Sequence, residues 1–225
     1  MPIAARSTSK GSQTRQAILN RALTLATRVG IEGLTIGTLA EDLGMSKSGL
    51  IRHFRTKETL QVQVLETGAH RFVEDVLRPS LKAPRGEPRL RTLFQSFLAW
   101  ESSSPSLPGG CPLIAASSEL DDRPGPARDY LVQTRRDLLD LLAGTVRSAI
   151  EEGQFHPDVD PEQFAYEFWG AMLGYHHASR LMRDPRASER ASKAFESLVR
   201  SARANAGFAP SSPAKTARAR ERARA

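Results

Sequence analysis

The segment from Thr35 to Leu60, TIGTLAEDLGMSKSGLIRHFRTKETL, constrains the possible fold more than any other part of the chain. Its first part carries apolar residues at helical spacing, namely Ile36, Leu39, Ala40 and Leu43. This spacing predicts a short helix with one buried face. Thr35 directly precedes that helix, where its hydroxyl can accept hydrogen bonds from free amides. Gly44 follows the helix, and a glycine there can take the left-handed conformation that turns the chain sharply.

A second short helix is predicted after the turn, with Ser46 as its capping residue. Leu50 and Phe54 are its clear core positions. Its other faces carry small or cationic residues, namely Lys47, Ser48, Gly49, Arg52 and His53. A helix-turn-helix unit needs such a second helix, because small residues let it enter a major groove and polar or basic ones reach bases and phosphates. Thr56 then caps a further helix, and Lys57 lies in its first turn.

This segment, together with residues 14–33 before it, resembles the amino-terminal domain of the TetR family of transcriptional regulators. The matching positions are Gly44, Ser46-Lys47, Leu50, His53-Phe54 and Lys57-Glu58. Ile51 stands where the family usually has Tyr or Phe. An isoleucine cannot donate a hydrogen bond to phosphate, so we expect it to pack on a thymine methyl group. Gly49 stands where Thr is frequent and would allow close approach to DNA.

The resemblance implies an all-α fold of about nine helices. An N-terminal three-helix helix-turn-helix domain would precede a larger C-terminal helical domain for ligand binding and dimerisation. The expected division is a flexible basic leader at 1–11, the DNA-binding domain at 12–59, the regulatory and dimerisation domain at 60–206 and a disordered basic tail at 207–225. Leader and tail could alternatively add contacts to DNA. The implied partners are double-stranded DNA and a second copy of the chain, joined through the last two long helices.

The resemblance and the exposed chemistry of the segment together assign the DNA-binding positions. These are Thr35, Ser46, Lys47, Ser48, Gly49, Ile51, Arg52, His53 and Lys57. We expect Lys47 and Arg52 to contact base edges or phosphates, and His53 to contact phosphate. Lys57 is expected on phosphate as well, with a plain solvated lysine as the alternative. Thr35 and Ser46 are helix caps that could also touch the DNA backbone.

Longer helices are predicted from apolar stripes over residues 57–77, 89–101, 127–153, 160–182 and 185–206. Pro79 is expected to end the first of them, because the residue before a proline avoids helical geometry. The helix over 160–182 has an explicit start: Asp160 can cap it, Pro161 suits its first position, and Gln163 can reach back. Its apolar surface covers more than one face, which indicates core on one side and a partner subunit on the other.

A small-molecule effector would need a pocket among these helices. The candidate wall residues are Phe94, Trp100, Cys111, Trp169, Met172, Tyr175 and His176. For each of these residues, Trp100 included, packing in the core is the alternative and the favoured one. We expect no cofactor beyond such an effector. Adjacent histidines such as His176 and His177 point about 100° apart on a helix, so we expect no metal site with Cys111.

Composition narrows the class of protein. The chain is 40% hydrophobic and 25% charged, as in ordinary globular proteins, and its net charge of +7 favours anionic partners such as nucleic acid. A single cysteine excludes an intramolecular disulfide. The sequence has neither a signal-peptide core nor an apolar run of membrane-spanning length, so we expect a cytoplasmic protein. Phosphate-binding glycine loops, Ser-x-x-Lys, HExxH and Cys-x-x-Cys motifs are missing, so we do not expect an enzyme.

The sequence therefore predicts a dimeric, ligand-responsive transcriptional regulator that reads DNA. We expect a repressor released from a palindromic operator, with activation as the open alternative. The rival hypothesis is a helical protein-interaction or small-molecule-binding module that does not read DNA. Its support is the pair of departures at Gly49 and Ile51.

Overall fold

The computed structural model describes residues 10–103 and 107–203. In these ranges the helices are α1 (Lys10–Gly33), α2 (Ile36–Leu43), α3 (Lys47–Phe54), α4 (Lys57–Phe72), α5 (Arg78–Leu81), α6 (Glu87–Ser103), α7 (Pro112–Leu120), α8 (Pro126–Glu151), α9 (Pro161–Arg180) and α10 (Ala187–Ala202). A π-helical turn at Val73–Leu77 joins α4 to α5, so these two form one rod. Extended pairing in the same ranges is limited to an isolated bridge between Phe155 and Arg203. The predicted all-α fold is confirmed.

The first three helices share a core with the rod that follows them. Ala22 and Leu23 of α1, Leu39 of α2, and Leu50 and Phe54 of α3 are fully buried. α1 packs against both α4 and α7. Its helical geometry is interrupted at Gly30, which has φ 78° and ψ 164°, a conformation that favours glycine. α1 is therefore kinked at Gly30.

The prediction that Pro79 ends the fourth helix is wrong. The rod continues past Pro79 to Leu81. The π-helical turn has already interrupted the α-helical hydrogen-bond ladder, and Pro79 falls in the first turn of α5. A proline is tolerated in a first turn because its missing amide donor would lack an intrahelical acceptor there.

Aromatic side chains fill the core between α6, α9 and α10. The ring of Phe94 stacks on that of Phe195 with centroids 4.3 Å apart. Phe168 meets both rings edge-on, at 5.7 and 5.5 Å. Trp100 is 4% exposed and lies edge-on to Phe72, so its side chain packs in the core.

The start of α9 agrees with its predicted cap in all but one contact. An Asp160 carboxylate oxygen accepts hydrogen bonds from the amides of Glu162 at 2.9 Å and Gln163 at 3.1 Å, and Pro161 is the first helical residue. The expectation that Gln163 reaches back is wrong. Its side-chain amide donates to Glu167, one turn further along, at 2.8 Å.

Two predicted segments fall largely outside the described residues. These are the leader, of which residues 1–9 are not described, and the basic tail from residue 207 onward. Lys10 and Gly11, assigned to the leader from the sequence, belong to α1. Within the two described ranges, no helix combines the length and hydropathy needed to span a lipid bilayer.

Candidate nucleic-acid interface

Both ends of α2 are fixed by local features: a capping pair at its start and a left-handed glycine at its end. The Thr35 hydroxyl accepts from the Thr38 amide at 3.0 Å, and the Thr38 hydroxyl accepts from the Thr35 amide at 2.9 Å. This reciprocal pair satisfies two amides that the helix itself cannot use. Gly44 ends α2 in the left-handed conformation, with φ 63° and ψ 29°. Thr35 is thereby placed at the cap that the sequence predicts.

α3 is anchored by two side chains and leaves its other faces in solvent. Leu50 and Phe54 are fully buried, while the Ser46 hydroxyl caps the helix by accepting from the Gly49 amide at 3.2 Å. The residues on the remaining faces are Lys47, Ser48, Ile51 and Arg52, which are exposed, and His53, which is half-buried. Ile51 is 50% exposed, so α3 presents an apolar side chain between its cations.

Two glycines leave little side-chain bulk around the start of α3. A Cβ built on Gly49 would lie 3.2 Å from the capping hydroxyl of Ser46, which is a tight approach. A Cβ on Gly37 of α2 would lie 3.5 Å from Cε of Lys47, so the Lys47 stem runs across α2 at that point. Among the described residues, Lys47 and Arg52 form no ion pair with an acidic side chain. Both cations are therefore available to an anionic partner.

Lys57, the first residue of α4, is placed beside an acidic group. Its ammonium lies 3.4 Å from a Glu32 carboxylate oxygen. Glu32 also accepts from the Gln61 side chain at 2.9 Å and from Arg123 at 2.8 Å. The Gln61 hydrogen bond, followed by the charges of Lys57 and Arg123, holds the pKa of the Glu32 carboxyl below its usual value. Such a partly exposed pair contributes about 0–1 kcal/mol, so it would yield readily to a phosphate.

Glu119 of α7 ties the kink of α1 to the larger helical part. Its two carboxylate oxygens accept from the amides of Ile31 at 3.1 Å and Glu32 at 2.9 Å. A Cβ on Gly30 would lie 2.7 Å from the nearer oxygen, so the glycine makes room for this carboxylate. The helix-turn-helix unit is thus held to α7 through hydrogen bonds to its backbone.

A cavity of about 330 Å³ lies among the rod, α7, α8 and α9. Phe72 and Val73 line it at the π-helical turn, Ile114 from α7, Arg135 from α8 and Trp169 from α9. Of the seven wall residues expected from the sequence, Cys111 and Trp169 border this cavity. Burial raises the pKa of the Cys111 thiol to about 11.

The other five expected wall residues lie elsewhere. Phe94, Trp100 and Met172 are buried in the core. Tyr175 borders a groove between α9 and α10. His176 pairs through Nδ1 with the fully buried carboxylate of Glu101 at 3.0 Å, beside Arg180. In the described ranges, no group of three or more His, Cys, Asp or Glu side chains is arranged to hold a metal ion.

Sequence reasoning missed two charged residues in apolar surroundings, although a signal existed for both. Arg135 occupies the stripe of Leu131 and Leu138 on α8, four residues after one and three before the other. Glu101 likewise follows Phe97 by four residues. A charge inside an apolar stripe is buried with a partner or borders a cavity.

Two family models match the chain. Residues 18–64 match the model of bacterial regulatory proteins of the tetR family, and residues 86–195 match that of the tetracyclin repressor-like C-terminal domain. The HTH-type transcriptional regulator RutR of Escherichia coli (strain K12) is 23% identical over 181 residues, covering 73% of this chain and 74% of RutR.

Solved structures show the same fold. A TetR-family regulator from Cytophaga hutchinsonii has a TM-score of 0.78 at 18% identity, covering 88% of this chain and 99% of that one. AibR, solved in complex with isovaleryl coenzyme A and operator DNA, has a TM-score of 0.64 at 25% identity, covering 80% of this chain and 97% of AibR. The capped α2–α3 pair lies within the first family match and the cavity helices α7 and α8 within the second. The chain therefore belongs to the TetR family of DNA-binding transcriptional regulators.

Proposed function

We propose that the protein is a dimeric repressor that a small molecule releases from a palindromic operator. The observation that carries the DNA-reading part is the exposed face of α3, where Lys47 and Arg52 flank Ile51 without acidic partners among the described residues. Inserted in a major groove, Arg52 and Lys47 would contact base edges or phosphates, and Ile51 a thymine methyl group. His53 and Lys57 would bind phosphates at the edge of the groove.

The dimer part of the proposal is supported by the outer surface of α9 and α10. Tyr166 of α9 is 70% exposed and Leu173 is 39% exposed, although both are large. Between these helices runs a groove lined by small residues, among them Gly170, Gly174 and Ala194. Small residues let a partner's helices approach closely, and apolar side chains around them favour burial. A two-fold dimer would place its two α3 helices on half-sites about 34–36 Å apart, or a multiple of that.

The ligand part of the proposal is supported by the cavity at the π-helical turn. The cavity lies on the same rod that begins at Lys57, directly after α3. AibR shows that a regulator of this fold can hold both a small molecule and operator DNA. A ligand that binds better to a state with mispositioned α3 helices would lower operator affinity by its differential affinity for that state.

A selection from random duplex oligonucleotides with the purified full chain tests the DNA-reading proposal. We expect a recovered sequence with two inverted half-sites. Recovery of a single unrepeated half-site would contradict the dimer. A chain that selects no sequence even at low salt would instead favour the rival hypothesis of a module that does not read DNA.

Two substitutions separate contacts that read sequence from contacts that only position the protein. Arg52→Ala is expected to cost about 1–3 kcal/mol and to relax the choice at one base pair. Lys57→Ala is expected to weaken all operator variants alike and to lower the slope of log K against log salt by about one. Fluorescence anisotropy across operator variants and salt concentrations measures both effects. Lys82→Ala, at an exposed position after α5, serves as the control. Equal effects of the first two changes on every variant would contradict the assigned roles.

Two glycine-to-arginine substitutions, one on the proposed dimer surface and one control elsewhere, test the proposed interface. A Cβ on Gly174 meets no atom within 4 Å, so Gly174→Arg is expected to fold but to block the partner's approach. Sedimentation velocity should then show a monomer at concentrations where the unaltered chain is dimeric, with operator affinity reduced at least tenfold. Gly144→Arg on α8 makes the same change at an equally open position and should remain dimeric. A dimeric Gly174→Arg protein would place the interface elsewhere.

A further inference from the structure

Arg135 is a cation set into an apolar wall. It belongs to the α8 stripe that buries Leu131 and Leu138, and it borders the cavity. Its guanidinium carbon lies 3.2 Å from the ring centroid of Trp169, so the cation is placed directly over the indole. Within the described ranges, Arg135 forms neither an ion pair nor a hydrogen bond with any side chain. The cation–π contact with Trp169 uses no hydrogen bond, so the N–H donors of the guanidinium remain uncommitted.

The rest of the cavity is largely apolar or internally satisfied. The apolar walls include Phe72, Val73, Phe97, Ile114, Leu138 and Leu141. Three of the polar side chains that line the cavity have partners on α8: Gln133 donates to the Asp137 carboxylate at 2.8 Å, and the Thr134 hydroxyl donates to the backbone carbonyl of Tyr130 at 2.8 Å. Asp137 is exposed to solvent, whereas Arg135 is only partly exposed. Among the described residues that line the cavity, the charged side chain without an ion-pair or hydrogen-bond partner is therefore the cation Arg135.

A partly buried guanidinium without an anion is costly, and a bound anion would offset that cost. Burial lowers the pKa of Arg135 to about 10, which still leaves the group charged at neutral pH. The planar fork of arginine matches the two oxygens of a carboxylate, which it can bind through two parallel hydrogen bonds. The apolar walls would bury the remainder of the same ligand.

The size of the cavity limits the apolar part of the ligand. A volume of about 330 Å³ holds roughly ten water-sized groups, taking about 30 Å³ for each. A carboxylate on a tail of about six to eight carbons has this size. Coenzyme-sized molecules would have to extend out of the mouth.

The geometry points to an effector that is an amphipathic carboxylate, with its head on Arg135 beside Trp169 and an acyl or aryl tail toward Phe72 and Ile114. This inference rests on the ligand response proposed above for the same cavity. It adds the chemical class of the ligand and the residue that selects it.

The fluorescence of Trp169 serves as the signal for ligand binding in the test of this inference. The chain has two tryptophans, so Trp100→Phe leaves Trp169 as the single tryptophan, next to Arg135. We would titrate this full-length variant with octanoate, 1-octanol and octylammonium, which share one tail and differ in the head. Octanoate is expected to bind at least tenfold more tightly than octanol, and octylammonium more weakly than either. If Trp100→Phe does not fold, the shift in melting temperature of the unaltered chain with each compound gives the same ranking.

Two matched substitutions test whether the preference for octanoate over octanol depends on the Arg135 side chain. Arg135→Met should abolish the preference for octanoate while keeping the affinity for octanol, which shows that the cavity is intact. Arg136→Met changes the neighbouring exposed arginine and should keep the preference. Equal binding of octanoate and octanol, tighter binding of octylammonium, or equal losses in the two methionine variants would overturn the inference.

Operator affinity is measured separately. Octanoate binding through Arg135 without any change in operator affinity would support this site and contradict the ligand response proposed above. Release from the operator by a small molecule, with no carboxylate preference in the cavity, would overturn the carboxylate inference alone.

Discussion

Replacing Gly109 with alanine is expected to lower the free energy of unfolding by at least about 3 kcal/mol. Gly109 lies in the loop before α7, against Thr27 in the fifth turn of α1. A Cβ there would overlap the backbone carbonyl oxygen of Thr27 and lie 2.9 Å from its Cβ. The obstacle is main chain within a helix, so no rotamer change can relieve it. The loop would have to leave α1 and lose the hydrogen bond from the Gly109 amide to the Thr27 hydroxyl.

Denaturant and thermal unfolding at one fixed protein concentration measure this effect. For a chain of this size, 3 kcal/mol corresponds to a fall in Tm of about 6–12 °C. Gly144→Ala is the control, because a Cβ in mid-helix at that position meets nothing within 4 Å. It should stabilise the protein by up to about 1 kcal/mol. A Gly109→Ala protein as stable as the unaltered chain would show that α1 and the loop are not packed as described.

The second large effect is expected at Glu101. Its side chain has no solvent exposure and accepts from the Cys111 amide at 2.9 Å, while His176 Nδ1 lies 3.0 Å and Arg180 Nε 3.6 Å from its oxygens. Glu101→Leu would leave these donors without an acceptor. Removing one partner of a buried charge pair lowers the free energy of unfolding by about 3–5 kcal/mol. Glu101→Gln keeps the shape and one acceptor oxygen, so it should lose less stability.

Chemical unfolding of both variants, beside Glu74→Leu, gives the comparison. Glu74 forms an exposed pair with Arg78 one turn away, so its loss should cost about 0.5 kcal/mol or less. A Glu101→Leu cost as small as that of Glu74→Leu would mean that water or rearrangement satisfies the donors. The order Leu, Gln, unaltered chain, from least to most stable, is the result that supports a structural role for the carboxylate.

Local chemistry made the helix-turn-helix predictable. The caps at Thr35 and Ser46 and the left-handed turn at Gly44 each depend on residues within four positions, and all are present. Burial of Leu50 and Phe54 follows from helical spacing in the same way. These features need no knowledge of how distant helices meet.

Features set by distant packing were not predictable from spacing alone. The sequence left both a pocket wall and the core open for Phe94 and Met172, because helical spacing cannot distinguish a filled core from the border of a cavity. That distinction depends on where α4, α8 and α9 cross. The continuation past Pro79 depends on a π-helical turn, for which no local motif was available. Glu32, the partner of Lys57, lies 25 residues away along the chain, and His176, one of the partners of Glu101, lies 75 residues away.

The Glu119 contact changes which parts of the molecule should move together. Sequence order separates the first three helices from the rest at the start of α4. Glu119, however, fastens α7 to the kink of α1, and the Gly109 loop presses on the same helix. We therefore expect α1 and α7 to move as one rigid body. Relative motion should then occur at the contact between α7 and α8. Liganded and unliganded states should then superpose best on α1 with α7, and their largest relative displacement should appear across the wall that carries Arg135.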